Sequence, residues 1–203
     1  MNRSRHLTKP SPFQKYKFMH QLIKHLFKTR CAVAFLLFGL ASPLLGKPAD
    51  EDTRTINFPK KNPTFTFSVP ADWTSKVDKE GDIACSSDDG SDFAFTIMIA
   101  KDIESLADLK EFLPKMAEEI ATGAKLKKVK IGDLSEGKSP DGISMAVLET
   151  VGKIQGEDFI ITLMGFTPAR GKYYILMTSE GADIDKAHQK EMSKIVDSIK
   201  KAE

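Results

Sequence analysis

Phe159-Ile-Ile-Thr-Leu-Met-Gly-Phe166 and, past a turn at Ala169-Arg-Gly171, Tyr173-Tyr-Ile-Leu-Met177 are the stretches that decide how this chain folds. Both are apolar at nearly every position, where a strand with one wet face would alternate. Both faces of such strands are covered, so the sheet that holds them carries a layer on each side. The neighbouring sequence supplies more of that sheet. Ile143 to Ile154 and Asp158 to Thr167 flank a Gln155-Gly156 turn, Lys172 to Ser179 follows the turn at Gly171, and Leu126 to Leu134 alternates lysine with apolar residues.

Further upstream the pattern is of strands with one buried face. Phe65, Phe67 and Val69 alternate with Thr66 and Ser68, and Pro70-Ala-Asp72 turns the chain. Trp73, the single tryptophan, reads as a core anchor at the end of that strand. Ser75 to Val77 and Ile83 to Ser86 flank a Lys79-Glu-Gly81 turn, Ser86 to Asp92 is a turn cluster, and Phe93, Phe95, Ile97 and Ile99 alternate as another strand. Thr55 to Phe58 has the makings of a short edge strand.

Two helices follow from periodicity. Ser105 and Asp108 form a variant capping box ahead of a stripe of Leu106, Leu109, Phe112, Leu113, Met116 and Ile120. Pro114 within that stripe predicts a kink or a split into two short helices, and Gly123 is the expected stop. A last helix is predicted from about Ile184 to Lys201, capped by Asp183, with Asp185 in its first turn and Lys200 and Lys201 at its negative end. Ile184, His188, Met192, Ile195, Val196 and Ile199 share its packing side. These helices are the layers available to cover the sheet.

Charge divides the chain in two. Residues 1–46 hold eight Lys or Arg and no acid, which leaves 22 basic against 28 acidic residues from Lys47 onward, a net charge of −6. The basic segment runs into the apolar stretch Cys31 to Leu45, and Gly39 and Ala41 give the small-x-small pattern of signal-peptide cleavage. Residues 1–46 are therefore read as a signal peptide cleaved near 41–49, after Ala41 or between Gly46 and Ala49. Translation from Met19 would still place Lys24, Lys28 and Arg30 ahead of the apolar core. The run is short of the ~20 apolar residues of a membrane anchor and is broken by Pro43. An organelle transit peptide lacks so continuous an apolar core, and Cys31 precedes the run where a lipoprotein cysteine would follow it. Residues 47–63 read as a polar linker and 64–203 as one domain, periplasmic or secreted, with no stable membrane span after cleavage.

The order of elements resembles the PsbP-like domain family, which includes exported bacterial members of unknown function. Phe65-Thr-Phe-Ser-Val-Pro-Ala-Asp-Trp73 is similar to the strand-Pro-x-x-Trp opening of those domains, and a helix begun at Ser-Leu, a run of strands and a C-terminal amphipathic helix follow in order, from about Thr64 to Lys201. The resemblance implies an α+β fold, an α/β/α sandwich with a mainly antiparallel central sheet flanked by helices. It does not imply a function: the characterised members, among them lumenal photosystem accessory proteins and a nuclear-transport cofactor, share contact with other proteins without catalysis, which is analogy. No functional residue of the photosystem members matches a position here, so it does not imply a photosynthetic role.

The inventory for chemistry is thin. His188 is the one histidine after residue 46 and Cys85 the one cysteine, where imidazole and thiolate metal sites gather several ligands. Cys85 has the choice of redox thiol or apolar filler in a strand, and filler is the expectation. His188 would have to serve any Ser-His-Asp triad, and its place on a packing face makes a structural role the expectation. Asp88, Asp89 and Asp92 around Gly90 lack the EF-hand spacing and read as a solvated turn. Glu136-Gly-Lys-Ser-Pro-Asp-Gly142 reads as a loop between strands.

Lys125, Lys127, Lys128 and Lys130 form the one dense basic stretch beyond the signal. They suit anionic lipid or another polyanion, or else the protection of an edge strand; the latter is the expectation. The acidic balance excludes general nucleic-acid binding. The reading is therefore an exported non-catalytic domain whose partner is another protein, with no cofactor and no catalytic, cofactor-binding or metal residue assigned. The alternative is an envelope hydrolase or small-ligand binder using carboxylate and hydroxyl side chains, with Tyr173 and Tyr174 as aromatic candidates, one of them lining the core.

Overall fold

The computed structural model describes residues 52–87, 94–181 and 186–202, the last without the side chains of 186–188. The proposed signal peptide, Asp183 and Asp185 lie outside the described residues. In chain order the elements are β1 (Thr53–Phe58), β2 (Phe65–Pro70), β3 (Thr74–Val77), β4 (Ile83–Ser86), β5 (Ala94–Ile99), α1 (Leu106–Gly123), β6 (Lys127–Ile131), β7 (Ser135–Lys138), β8 (Ser144–Ile154), β9 (Glu157–Ala169), β10 (Lys172–Gly181), α2 (Lys186–Asp197) and β11 (Lys200–Lys201).

The doubly apolar strands β9 and β10 lie in the middle of the larger sheet. Its order is β3-β4-β5-β10-β9-β8-β6, with β7 also paired to β8, and every pairing is antiparallel. Cross-strand partners share a face, so the registers assign each side chain to a layer. Phe166 pairs with Tyr174 and Met145, and Met164 with Leu176 and Val147. Leu163 pairs with Met177 and Leu148, and Gly165 with Ile175 and Ala146, on the opposite face.

Helix α1 covers that second face with Leu109, Leu113, Met116, Ala117 and Ile120, all buried. The absence of a side chain at Gly165 lets the helix sit close: a Cβ there would lie 2.8 Å from Leu109 Cδ2. As the sequence predicts, Ser105 caps the helix, its Oγ accepting from the Asp108 amide at 3.1 Å. Pro114 does not split it. The helix is one element through Pro114, which withholds a single amide from the Lys110 carbonyl. Nor does Gly123 supply the left-handed stop. Lys125 does, at φ 56, with the Leu126 amide donating to Ala121 O and the Lys125 amide to Thr122 O, a Schellman closure.

The first face is where the expected α/β/α sandwich fails. Its main cover is a second antiparallel sheet, β1-β2-β11, in place of a helical layer. About half of the described residues lie in strands and their helices number two, so the architecture is two antiparallel sheets with α1 on the outer face of the larger. Helix α2 adds Ile195 to the core between the sheets, but it ends at Asp197, short of the Lys201 predicted. Beyond it Lys200 and Lys201 pair with Thr66 and Phe65. Ser198 makes the change of direction, its Oγ accepting from the Ser68 amide at 2.8 Å and donating to Ile195 O at 2.6 Å.

Aromatic rings join the two sheets. Phe58, Phe65 and Phe67 from the small sheet meet Phe95, Phe166 and Tyr174 from the large one. Phe65 stands edge-on to Phe166 at 5.1 Å and to Tyr174 at 4.9 Å, and Phe67 edge-on to Phe95 at 5.9 Å. Such pairs add to the area they bury. Trp73 is buried against Phe95, the anchor its position predicts. The short edge strand is present as β1, antiparallel to β2 and ending in the buried Phe58.

Candidate functional site

Cys85, Asp82, Tyr173 and Tyr174, the side chains that sequence or burial singles out, are bound into the fold. Cys85 lies in β4 opposite Ser75 and Phe95 and is 1% exposed. Burial pushes its thiol up to about 12, although Arg54 pulls the other way. A thiol held that far from ionisation supplies no thiolate near neutral pH. Its place is that of a small apolar filler.

Asp82 is a described carboxylate held above the usual range. Burial raises it first, against the opposing Ile99 amide, which donates to Oδ1 at 2.9 Å. Asp78 faces it across the turn, its Oδ1 accepting from the Asp82 amide at 2.9 Å and its own amide donating to Asp82 O. Lys101 closes the group by donating to Glu80 O at 2.7 Å. The two aspartates therefore fasten the β3–β4 turn to β5. No grouping of three or more His, Cys, Asp or Glu side chains among the described residues is arranged to hold a metal.

The tyrosines are likewise engaged, and one of the pair lines the core as the alternation predicts. Tyr174 is 1% exposed, and its hydroxyl lies 2.7 Å from Thr64 Oγ1. Burial raises its hydroxyl above the ordinary phenol range, and the Thr64 hydrogen bond opposes that. Tyr173 donates to Glu104 O at 3.0 Å. The stretch Glu136 to Gly142 is partly strand: β7 runs through Lys138, and Ser139 then closes a turn by accepting from the Gly142 and Ile143 amides. Those amides are spent on the turn and do not cradle an anion. The His188 side chain and Asp88, Asp89 and Asp92 lie outside the described residues.

What remains is a surface. Lys125, Lys127, Lys128 and Lys130 are all exposed, the last three on β6 at one edge of the large sheet. The edge is irregular. Lys128 has φ 52, and the register with β8 shifts between Lys127 and Lys130. Leu126 tucks beneath β8, where Gly152 has no Cβ to obstruct it. Sequence located the lysines. It could not locate Val151, which belongs to β8 and reaches them only through pairing with Lys130.

Comparison with solved structures places the fold. The solution structure of cyanobacterial PsbP (CyanoP) from Synechocystis matches with a TM-score of 0.57 at 14% identity, covering 79% of this chain and 98% of that one. LpqN of Mycobacterium tuberculosis, described as involved in cell envelope biogenesis, gives 0.49 at 16% identity over 76% of this chain and 94% of its own. The Saccharomyces cerevisiae Ran-binding protein Mog1p gives 0.47 at 10% identity, over 73% and 95%. Scores below 0.5 do not establish a common fold; the CyanoP match does, and the fold is PsbP-like. No protein-family model and no curated protein matches the sequence.

Proposed function

We propose that this chain is an exported, non-catalytic domain that acts by binding another protein. One observation carries the reading: the thiol, the raised carboxylate and both tyrosine hydroxyls described above are spent on packing and turn closure. The PsbP-like fold adds support by analogy alone, because one fold hosts many functions. The basic, acid-free N-terminus with its apolar run supports export to the periplasm or beyond. No helix among the described residues is long and apolar enough to cross a membrane.

The test is capture of the tagged protein from its own envelope fraction under mild crosslinking. A specific partner recovered in stoichiometric amount is the expected result, and background alone would overturn the proposal. Intact mass of the exported protein checks the signal peptide separately. Its N-terminus should fall just after the predicted cleavage region, whereas a chain retaining Cys31 to Leu45 would make the segment an anchor.

A further inference from the structure

We infer that the β6 edge of the large sheet docks on the surface of an anionic lipid bilayer. The inference stands on this edge alone and holds whether or not a protein partner exists. Four lysines fall within residues 125–130, all exposed, and none forms an ion pair with a described residue. Nearby lysines do pair: Lys110 meets Glu136 at 2.6 Å and Lys153 meets Asp158 at 2.7 Å. Unpaired lysines occur elsewhere on the described surface, but β6 and the residue that leads into it gather four of them within six positions.

Protection of an open edge does not account for this arrangement. A bulge already spoils an edge for pairing, and β6 has a register shift and a left-handed residue at Lys128. One lysine beside them would suffice. More telling is the apolar content. Val129 is 41% and Val151 40% exposed, two of the three large apolar side chains most open to solvent among the described residues. Val151 stands opposite Lys130 on one side and half-buried Ile160 on the other, so the sheet face reads Lys130, Val151, Ile160 in a row. Guarding an edge does not call for exposed valines beside the guards.

A bilayer surface accepts both features. Apolar side chains enter the headgroup boundary while lysine stems lie along it and hold their ammonium groups among the phosphates. The chemistry of the cation points the same way. Lysine is a mobile point charge suited to diffuse negative charge, whereas recognition of one carboxylate in fixed geometry favours the planar fork of arginine. An acidic peptide added as a strand would need the regular ladder that this edge lacks.

Each lysine near an anionic surface contributes about five-fold in partitioning at moderate salt. Co-sedimentation of the purified protein with phosphatidylglycerol–phosphatidylcholine vesicles tests the inference, with phosphatidylcholine vesicles and polyglutamate as comparison arms. Binding is expected on the anionic vesicles alone. Lys127→Gln with Lys130→Gln should weaken it about 25-fold, and Lys125→Gln with Lys128→Gln should do the same should the first pair disturb folding. Lys60→Gln with Lys61→Gln, an equal loss of charge on the exposed β1–β2 connection, should change it little. Val129→Ser with Val151→Ser should remove the part of the binding that survives high salt. No binding by the wild type, an equal loss in the Lys60–Lys61 control, or binding that persists without the β6 lysines would each overturn the inference. So would polyglutamate binding as tight as vesicle binding and indifferent to the valines, which would assign the edge to an acidic protein.

Discussion

Cys85 and Asp82 answer pH in separate ranges for one reason, that burial disfavours their charged forms. For Cys85 the unfolded thiol ionises near 9.0 and the folded one near 12, so between them the folded chain holds the extra proton and rising pH favours unfolding. Stability should fall by about 1.4 kcal/mol per pH unit in that window from this group. Cys85→Ala removes that slope, and denaturant melts across the window should show the gap between the two proteins closing. Parallel curves would mean that the thiol ionises freely in the fold. Asp82 acts at the acid end. Its folded value lies above 3.8, so its contribution is intact below 3.8 and is lost as pH rises through the folded value, leaving a partly desolvated charge at neutrality. Asp82→Asn keeps an acceptor for the Ile99 amide and omits the charge. The variant should be the more stable at neutral pH, with its advantage fading toward pH 3.8. A uniform loss at all pH values would instead make the charge useful, through Lys101.

At the scale of elements, the C-terminus of α1 offers the cleanest measurement. Lys125 occupies the left-handed position of the Schellman closure, which costs any residue with a Cβ and costs glycine nothing. Lys125→Gly should raise stability by about 1 kcal/mol in thermal or urea melts, since the site lies outside the helix and glycine's entropy penalty is outweighed there. No change would show that the lysine side chain offsets the strain. The same helix marks where sequence reading works and where it stops. Ser105 and Asp108 located the start because a cap is a local event between near neighbours. Gly123 was a natural guess for the end, but Leu126 has to reach Gly152, and only β8 determines that the chain turns two residues later. Helix α2 stopped early for the same kind of reason. Val196 and Ile199 fit helical spacing, but Ser198 bonds to Ser68, 130 residues away, and the chain leaves the helix for β2. The basic edge was legible as charge alone. Its apolar half comes from Val151 on another strand, and no local pattern joins the two.

At the scale of the whole molecule, the apolar runs in β9 and β10 correctly demanded cover on both faces without revealing what the cover was. The stripe on α1 accounted for one layer. The other comes from three strands remote in sequence, one of them the two-residue Lys200–Lys201, too short to carry any periodicity. β1 was nearly as obscure, because in Thr53–Phe58 only Phe58 is fully buried. That single ring nonetheless ties the outer strand to the core, edge-on to Phe65 at 5.6 Å and to Tyr174 at 6.0 Å. Its strand also brings Arg54 to Trp73 O at 2.6 Å. Phe58→Ala should cost about 3–5 kcal/mol, a large part of the 5–15 kcal/mol that holds a domain of this size together. A chain begun at Thr64 loses that ring and the six-residue pairing with β2 at once. It should therefore show a depressed or absent thermal transition and weakened near-ultraviolet dichroism from Trp73, while a chain begun at Asp52 melts as the full protein does. If the Thr64 chain instead melts with the longer one, the second sheet is held by β2 and the C-terminal segment alone, and β1 merely covers it.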